Sequence, residues 1–151
     1  MSPENASRTA DGWQAVHLDD VPSIRSESGD EGDWKPLRHD LGISAFGFNA
    51  WSGAEPGAQV IEPHDEAPDD EDPRSHQEVY VVIAGRAEFT IDGTTFEAPA
   101  GTVVAVRDGA LRREASALEA GTTILTVGAA PGEAFSTSPW ERRALERHGR
   151  W

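Results

Sequence analysis

The chain has 151 residues, enough for one domain burying roughly two thirds of its unfolded surface. Its 27 acidic against 13 basic residues give a formal net charge of −14, a field that repels phosphate backbones and anionic headgroups and argues against nucleic acid or membrane as partners. With no cysteine, no basic-then-apolar leader and no apolar run near the ~20 residues of a bilayer span, the expected location is cytoplasmic.

Residues 1–12 are polar and aperiodic and read as a disordered tail. Residues 13–137 are expected to form one all-β domain, because ten prolines and fifteen glycines punctuate short Val, Ile, Thr and Phe runs. Trp13 to Leu18 alternates as a short strand, and Ser23 to Asp33 is an acidic Ser/Gly-rich loop. Leu41 to Trp51 carries no charge and predicts a strand covered on both faces. After the Glu55-Pro56-Gly57 turn, Gln59 to Ile61 resumes a strand. Seven carboxylates then fall between positions 62 and 72, a composition for a solvated rim or lid. Glu62, His64 and Glu66, at the strand end of this segment, share a face if the strand runs on through Pro63.

The segment His76 to Gly85 opens with two groups of ligand chemistry and continues in strong strand formers. Alternation puts His76, Glu78 and Tyr80 on one face, a candidate pocket, and Val79, Val81 and Ile83 on the other, a candidate core. Ala87, Phe89 and Ile91 alternate in the next strand, and Asp92-Gly93 gives a type I′ hairpin signal into Thr94 to Glu97. Thr102 to Val106 is another strand, turned at Asp108-Gly109 into Leu111 to Ala117, and Thr122 to Val127 follows. Within residues 138–151, Ser138 to His148 predicts a helix on the outside of the domain. Ser138 is placed to cap it, Pro139 occupies the first turn, and Trp140, Ala144 and His148 recur every fourth residue.

From about Ala45 to Val127 the pattern resembles a cupin, a double-stranded β-helix or jelly-roll barrel whose family commonly holds a divalent metal in its mouth. Glu78 and Gly85 match the Glu and Gly of the family's first motif, Gly57 its opening Gly and His64 one of its histidines. Glu66 stands where the second histidine belongs. For the second motif, a start at Gly101 matches Gly109 and leaves fifteen residues after Gly85; it puts Arg107 at the Pro, Arg112 at the metal-binding His and Ser116 at the Asn. The resemblance implies a jelly-roll fold and a homodimer paired through sheet edges.

His64, Glu66, His76 and Glu78 offer the imidazole and carboxylate donors that Zn, Fe or Mn require. Arg112 cannot ligate a metal, since a guanidinium stays protonated. In that register it pairs with Glu78 or Glu66, or receives the carboxylate or phosphate of a ligand. Strand alternation gives another placement, grouping Leu111, Arg113, Ala115 and Ala117 and leaving Arg112, Glu114 and Ser116 toward water. The expected function is binding of a small, anionic molecule in the barrel mouth by Glu78, Tyr80 and Arg112, metal-free or with weak metal affinity. Two alternatives stand beside it: a metal-dependent dioxygenase or isomerase using His64, His76 and Glu78, and an interaction protein anchored by Trp140 and Trp151.

Overall fold

The computed structural model describes residues 8–25 and 32–151. Two short strands, β1 (Arg8–Ala10) and β2 (Trp13–Ala15), form an antiparallel hairpin, so the described end of the expected tail is a strand and a turn. The remainder of that tail, and residues 26–31 of the expected acidic loop, lie outside the described residues. Next come β3 (Asp33–Lys35), a four-residue helical turn α1 (Leu37–Asp40), β4 (Gly47–Gly53), β5 (Gln59–His64), β6 (Gln77–Ala84), β7 (Arg86–Ile91) and β8 (Thr94–Pro99). Then follow β9 (Val103–Val106), β10 (Arg113–Ala117), β11 (Thr122–Ala129) and helix α2 (Pro139–Arg147). The uncharged run expected as one strand from Leu41 becomes strand only at Gly47; residues 41–46 are turn and bend.

Nine strands form two antiparallel sheets, one ordered β3-β4-β11-β6-β9 and the other β5-β10-β7-β8. Between them lies a core that includes Val60, Tyr80, Val82, Phe89, Val104, Ala115 and Ile124. This is the antiparallel jelly roll that alternation and turn spacing predicted. On β6 the pocket-side residues continue into this core, since Tyr80 and Val82 are fully buried. The face given to core in the sequence, Val79, Val81 and Ile83, is the outer one, and Ile83 is 42 % exposed.

The β7–β8 hairpin turns at Asp92-Gly93, where φ of 47° and 81° is the left-handed pair a type I′ turn requires. Asp108-Gly109 is no hairpin, because β9 and β10 belong to different sheets and the segment crosses between them.

Helix α2 packs on β3 and β4 through Ala144 and Leu145, which meet Ile24, Trp34 and Trp51. Its buried residues are Glu141, Ala144 and Leu145, one residue round from the expected Trp140, Ala144, His148 stripe. Ser138 occupies the N-cap with extended backbone, but its side chain makes no cap hydrogen bond. Glu141 is drawn inward by Arg38, whose Nε lies 3.2 Å from both carboxylate oxygens. No helix of the described residues is long and apolar enough to cross a membrane.

Candidate functional site

One end of the barrel opens into a cavity of about 300 Å³, at the small end of the ~300–1,000 Å³ range of ligand pockets. Its walls come from β4, β5, β6 and β11, from the acidic segment between β5 and β6, and from the first turn of α2. His64, Glu66, His76, Glu78 and Tyr80 all line it. Arg112 does not.

His64 reaches the mouth because β5 carries an extra residue against β10. Arg113 pairs with His64 and Ala115 with Ile61, so two steps along β10 match three along β5. Such a bulge reverses the alternation, and it falls at Glu62-Pro63, where the proline's missing N–H is tolerated. Ile61 and His64 therefore both face inward, whereas Glu62 is exposed and does not share their face. The expected Glu62, His64, Glu66 face fails for this reason.

The motif register's placement of Arg112 in the mouth fails, and the two arginines lie as strand alternation groups them. Arg113 pairs with Ile91 and Ala115 with Phe89, so the inward face of β10 is Arg113, Ala115, Ala117, all buried. Arg112 is exposed, and its guanidinium lies 3.4 Å from the Pro63 carbonyl. Strand alternation, not motif spacing, decides which arginine enters the barrel. Arg113 is 1 % exposed and gives its donors to Glu78 Oε1 at 2.6 Å, Tyr80 Oη at 3.1 Å, and the carbonyls of Gly109 and Leu111 at 3.2 and 2.9 Å. Tyr80 in turn donates to Glu78 Oε1 at 2.9 Å. Arg113, Tyr80 and Glu78 thus form one closed brace at the floor of the mouth, and burial together with the Glu78 charge pushes the Tyr80 hydroxyl well above its ordinary value.

Gly109 sets the position of Glu66. Its carbonyl accepts the Glu66 N–H at 2.8 Å, and a Cβ there would stand 2.8 Å from the Glu66 carbonyl oxygen. His76 Nδ1 lies 3.2 Å from Glu66 Oε2, and His76 Nε2 is buried without a hydrogen-bond partner among the described residues. The outer wall is braced as well. Asp72 takes a bidentate pair from Arg74 at 2.7 Å, which holds its carboxyl at about 2, and Glu71 pairs with Arg143 of α2 at 2.9 Å.

His64, Glu66 and Glu78 bring one donor atom each within 4.8 Å of one another. The His64 Nδ1 lies 2.7 Å from the Glu62 carbonyl, which can only accept, so Nδ1 carries a proton. Its Nε2 faces Glu66 Oε1 and Glu78 Oε1, each at 3.6 Å, beyond hydrogen-bond length. Burial lowers the His64 pKa, but the two carboxylates and the Glu62 carbonyl outweigh it and the net shift is upward. Burial and the neighbouring Glu78 charge raise Glu66. Burial alone would raise Glu78 too, yet His64 and Arg113 hold its carboxyl at about 2.

The donor set fits a divalent cation. One imidazole with its second nitrogen fixed by a carbonyl, and two carboxylates converging on the first, is metal-ligand chemistry with the orienting contact in place. His76, expected as a fourth ligand, is not part of this convergent group; its Nδ1 lies against Glu66 Oε2 at 3.2 Å. Of the four residues named from the sequence as candidate ligands, His64, Glu66 and Glu78 come together. Sequence reasoning assigns the arginine behind them no role in the site, although the alternation Leu111, Arg113, Ala115, Ala117 points to it.

No protein-family model matches the sequence, and no curated protein matches it. Solved structures do. A cupin protein from Bacteroides fragilis is 17 % identical, aligned over 85 % of this chain and 93 % of that one with a TM-score of 0.59. A sugar phosphate isomerase from a cupin superfamily of Silicibacter pomeroyi is 21 % identical over 76 % of this chain and 74 % of that one, TM-score 0.61. A predicted oxalate decarboxylase from Thermotoga maritima is 18 % identical over 77 % and 98 %, TM-score 0.58. At these identities the likeness is one of architecture, and with the two facing sheets and the open barrel mouth it establishes that this chain has the cupin fold.

Proposed function

We propose that the barrel mouth is a small-molecule binding site organised round a divalent cation held by His64, Glu66 and Glu78. The observation that carries this reading is the His64 Nε2, which faces two carboxylate oxygens at 3.6 Å each with its other nitrogen already committed. A lone pair facing two anionic oxygens is repulsive unless a cation or a proton lies between them. Zn²⁺, Fe²⁺ or Mn²⁺ suits one imidazole and two carboxylates. Bound there, it would supply Lewis-acid polarisation of a ligand oxygen. Arg113 and Tyr80 hold Glu78 in place, the Glu62 carbonyl orients His64, and Glu66 is held by Gly109 and His76.

An anion seated on Arg112 is not retained, because Arg112 lies outside the mouth and Arg113 already spends its donors on the brace. Metal-free binding remains the second reading, favoured by the raised His64: an imidazolium between Glu66 and Glu78 satisfies the same contacts. Elemental analysis of the purified protein, with melting temperatures before and after chelation, separates the two. Near-stoichiometric metal lost in His64→Ala and Glu66→Gln supports the cation; protein that takes up none and melts identically with and without Zn²⁺, Fe²⁺ or Mn²⁺ overturns it.

A further inference from the structure

The wall of the mouth above the His64 group has a chemistry of its own. Leaving aside Glu62, which does not share the inward face, six carboxylates line the cavity against one arginine and two histidines. The arginine, Arg74, is clamped on Asp72, so it offers no free charge to an incoming anion. Arg113 and Arg143 offset Glu78 and Glu71, and the balance stays negative even with both histidines protonated. An anionic ligand would enter against this field, and a cationic one with it.

The same cavity is lined by two indoles, Trp51 and Trp140, with ring centroids 6.2 Å apart and planes inclined at 38°. Trp34 stacks behind Trp51 at 5.8 Å and is fixed by its Nε1 donating to Asn49 Oδ1 at 2.8 Å, so the aromatic wall is rigid from behind. Trp140 is 42 % exposed and lies 5.4 Å from Trp34, ring centroid to ring centroid. It is one of the residues that line the cavity. The face of an indole is the strongest of the aromatic faces for a cation. His76, 8 % exposed, lines the same cavity with its Nδ1 3.2 Å from Glu66 Oε2.

We infer that the ligand of this mouth is an organic ammonium compound, its cationic nitrogen held between the Trp51–Trp140 wall and the carboxylates of the 65–72 segment. Indole rings and surplus carboxylates on one cavity are complementary to positive charge on an apolar body. This rests on the mouth being the ligand site, as proposed above, but not on the metal.

The test is titration, by calorimetry and tryptophan fluorescence, with choline and with its uncharged carbon isostere 3,3-dimethylbutan-1-ol, on metal-stripped and on Zn²⁺-loaded protein. Choline should bind saturably and the isostere about ten-fold or more weaker, the difference being the charge alone. Trp140→Leu should weaken choline by a similar factor. The exposed double change Asp65→Asn with Asp69→Asn, which leaves the core untouched, should do so as well and should reduce the salt dependence. Equal binding of the two probes, no binding of choline, or tighter binding of succinate than of choline would overturn the inference. Protein that takes no metal yet discriminates choline from its isostere keeps this inference and removes the metal reading. Protein that binds metal without discriminating does the reverse.

Discussion

A guanidinium with no solvent exposure needs a counter-charge and acceptors, and Arg113 finds them in Glu78, Tyr80 and two carbonyls. Removing it leaves Glu78 without its main partner at the floor of the mouth. Arg113→Ala should therefore cost about 3–5 kcal/mol, while Arg112→Ala, an exposed substitution, should stay within ~0.5 kcal/mol; paired thermal or urea melts check both. Glu78 is the more deeply buried contributor to the acid limb of stability, beside Asp72. The Glu78 carboxyl lies at about 2 in the fold against 4.5 unperturbed, so its contribution is complete above pH 4.5 and is lost as pH falls toward 2. That contribution is about 3 kcal/mol at neutral pH. Glu78→Gln should flatten the fall in melting temperature across that window. His64 carries the opposite sign in metal-free protein: its pKa is raised above 6.5, so its contribution is complete below that pH and lost as pH rises through the folded value. His64→Gln should remove this loss on the alkaline side, read from the same melts.

Among the elements, β5 and the crossing at Gly109 decide where the ligating groups go. Gly109→Ala would press a methyl against the backbone of Glu66 and His76, whose carbonyl oxygens stand 2.8 and 3.1 Å from the added carbon. The expected result is a loss of about 1–3 kcal/mol, with metal affinity reduced alongside, measured by melts and by Zn²⁺ titration. The sequence made much of this legible. Period-two alternation locates the strands, Asp92-Gly93 gives its hairpin, and donor chemistry alone points to His64, Glu66, His76 and Glu78, of which the first two and Glu78 converge. What stayed hidden has identifiable causes. A bulge at Glu62-Pro63 inverts the facing of every residue after it, and nothing local in those residues announces that inversion. Motif spacing placed Arg112 in the mouth by counting residues, whereas the side of a strand is set by pairing with Phe89 and Ile91 across the sheet. The Trp51–Trp140 wall joins residues far apart in sequence, and only the docking of α2 brings them together.

At the scale of the molecule, β9 is an edge strand of the five-stranded sheet, and its outward Val103 is 61 % exposed beside Ile83 at 42 % on β6. An exposed edge with apolar side chains is a template for pairing, and a second copy of the chain is the partner expected there. Light scattering at micromolar concentration should give twice the mass of the chain, and Val103→Glu should return it to the monomer; a monomeric wild type would reject the pairing. The attachment of α2 has a different consequence, in time rather than in space. Arg38 meets Glu141 and Asp40 meets Arg150 across separations of 103 and 110 residues, so this wall closes only through contacts distant in the chain. Loop closure over such lengths is slow compared with the forming of a hairpin such as β7–β8. As the polypeptide emerges from the ribosome, the strands that hold His64 and Glu78 are complete before Trp140 has been made. The Trp140 wall is thus added to strands made before it, and a refolding chain should gain its sheet signal before the near-ultraviolet signal of its clustered tryptophans.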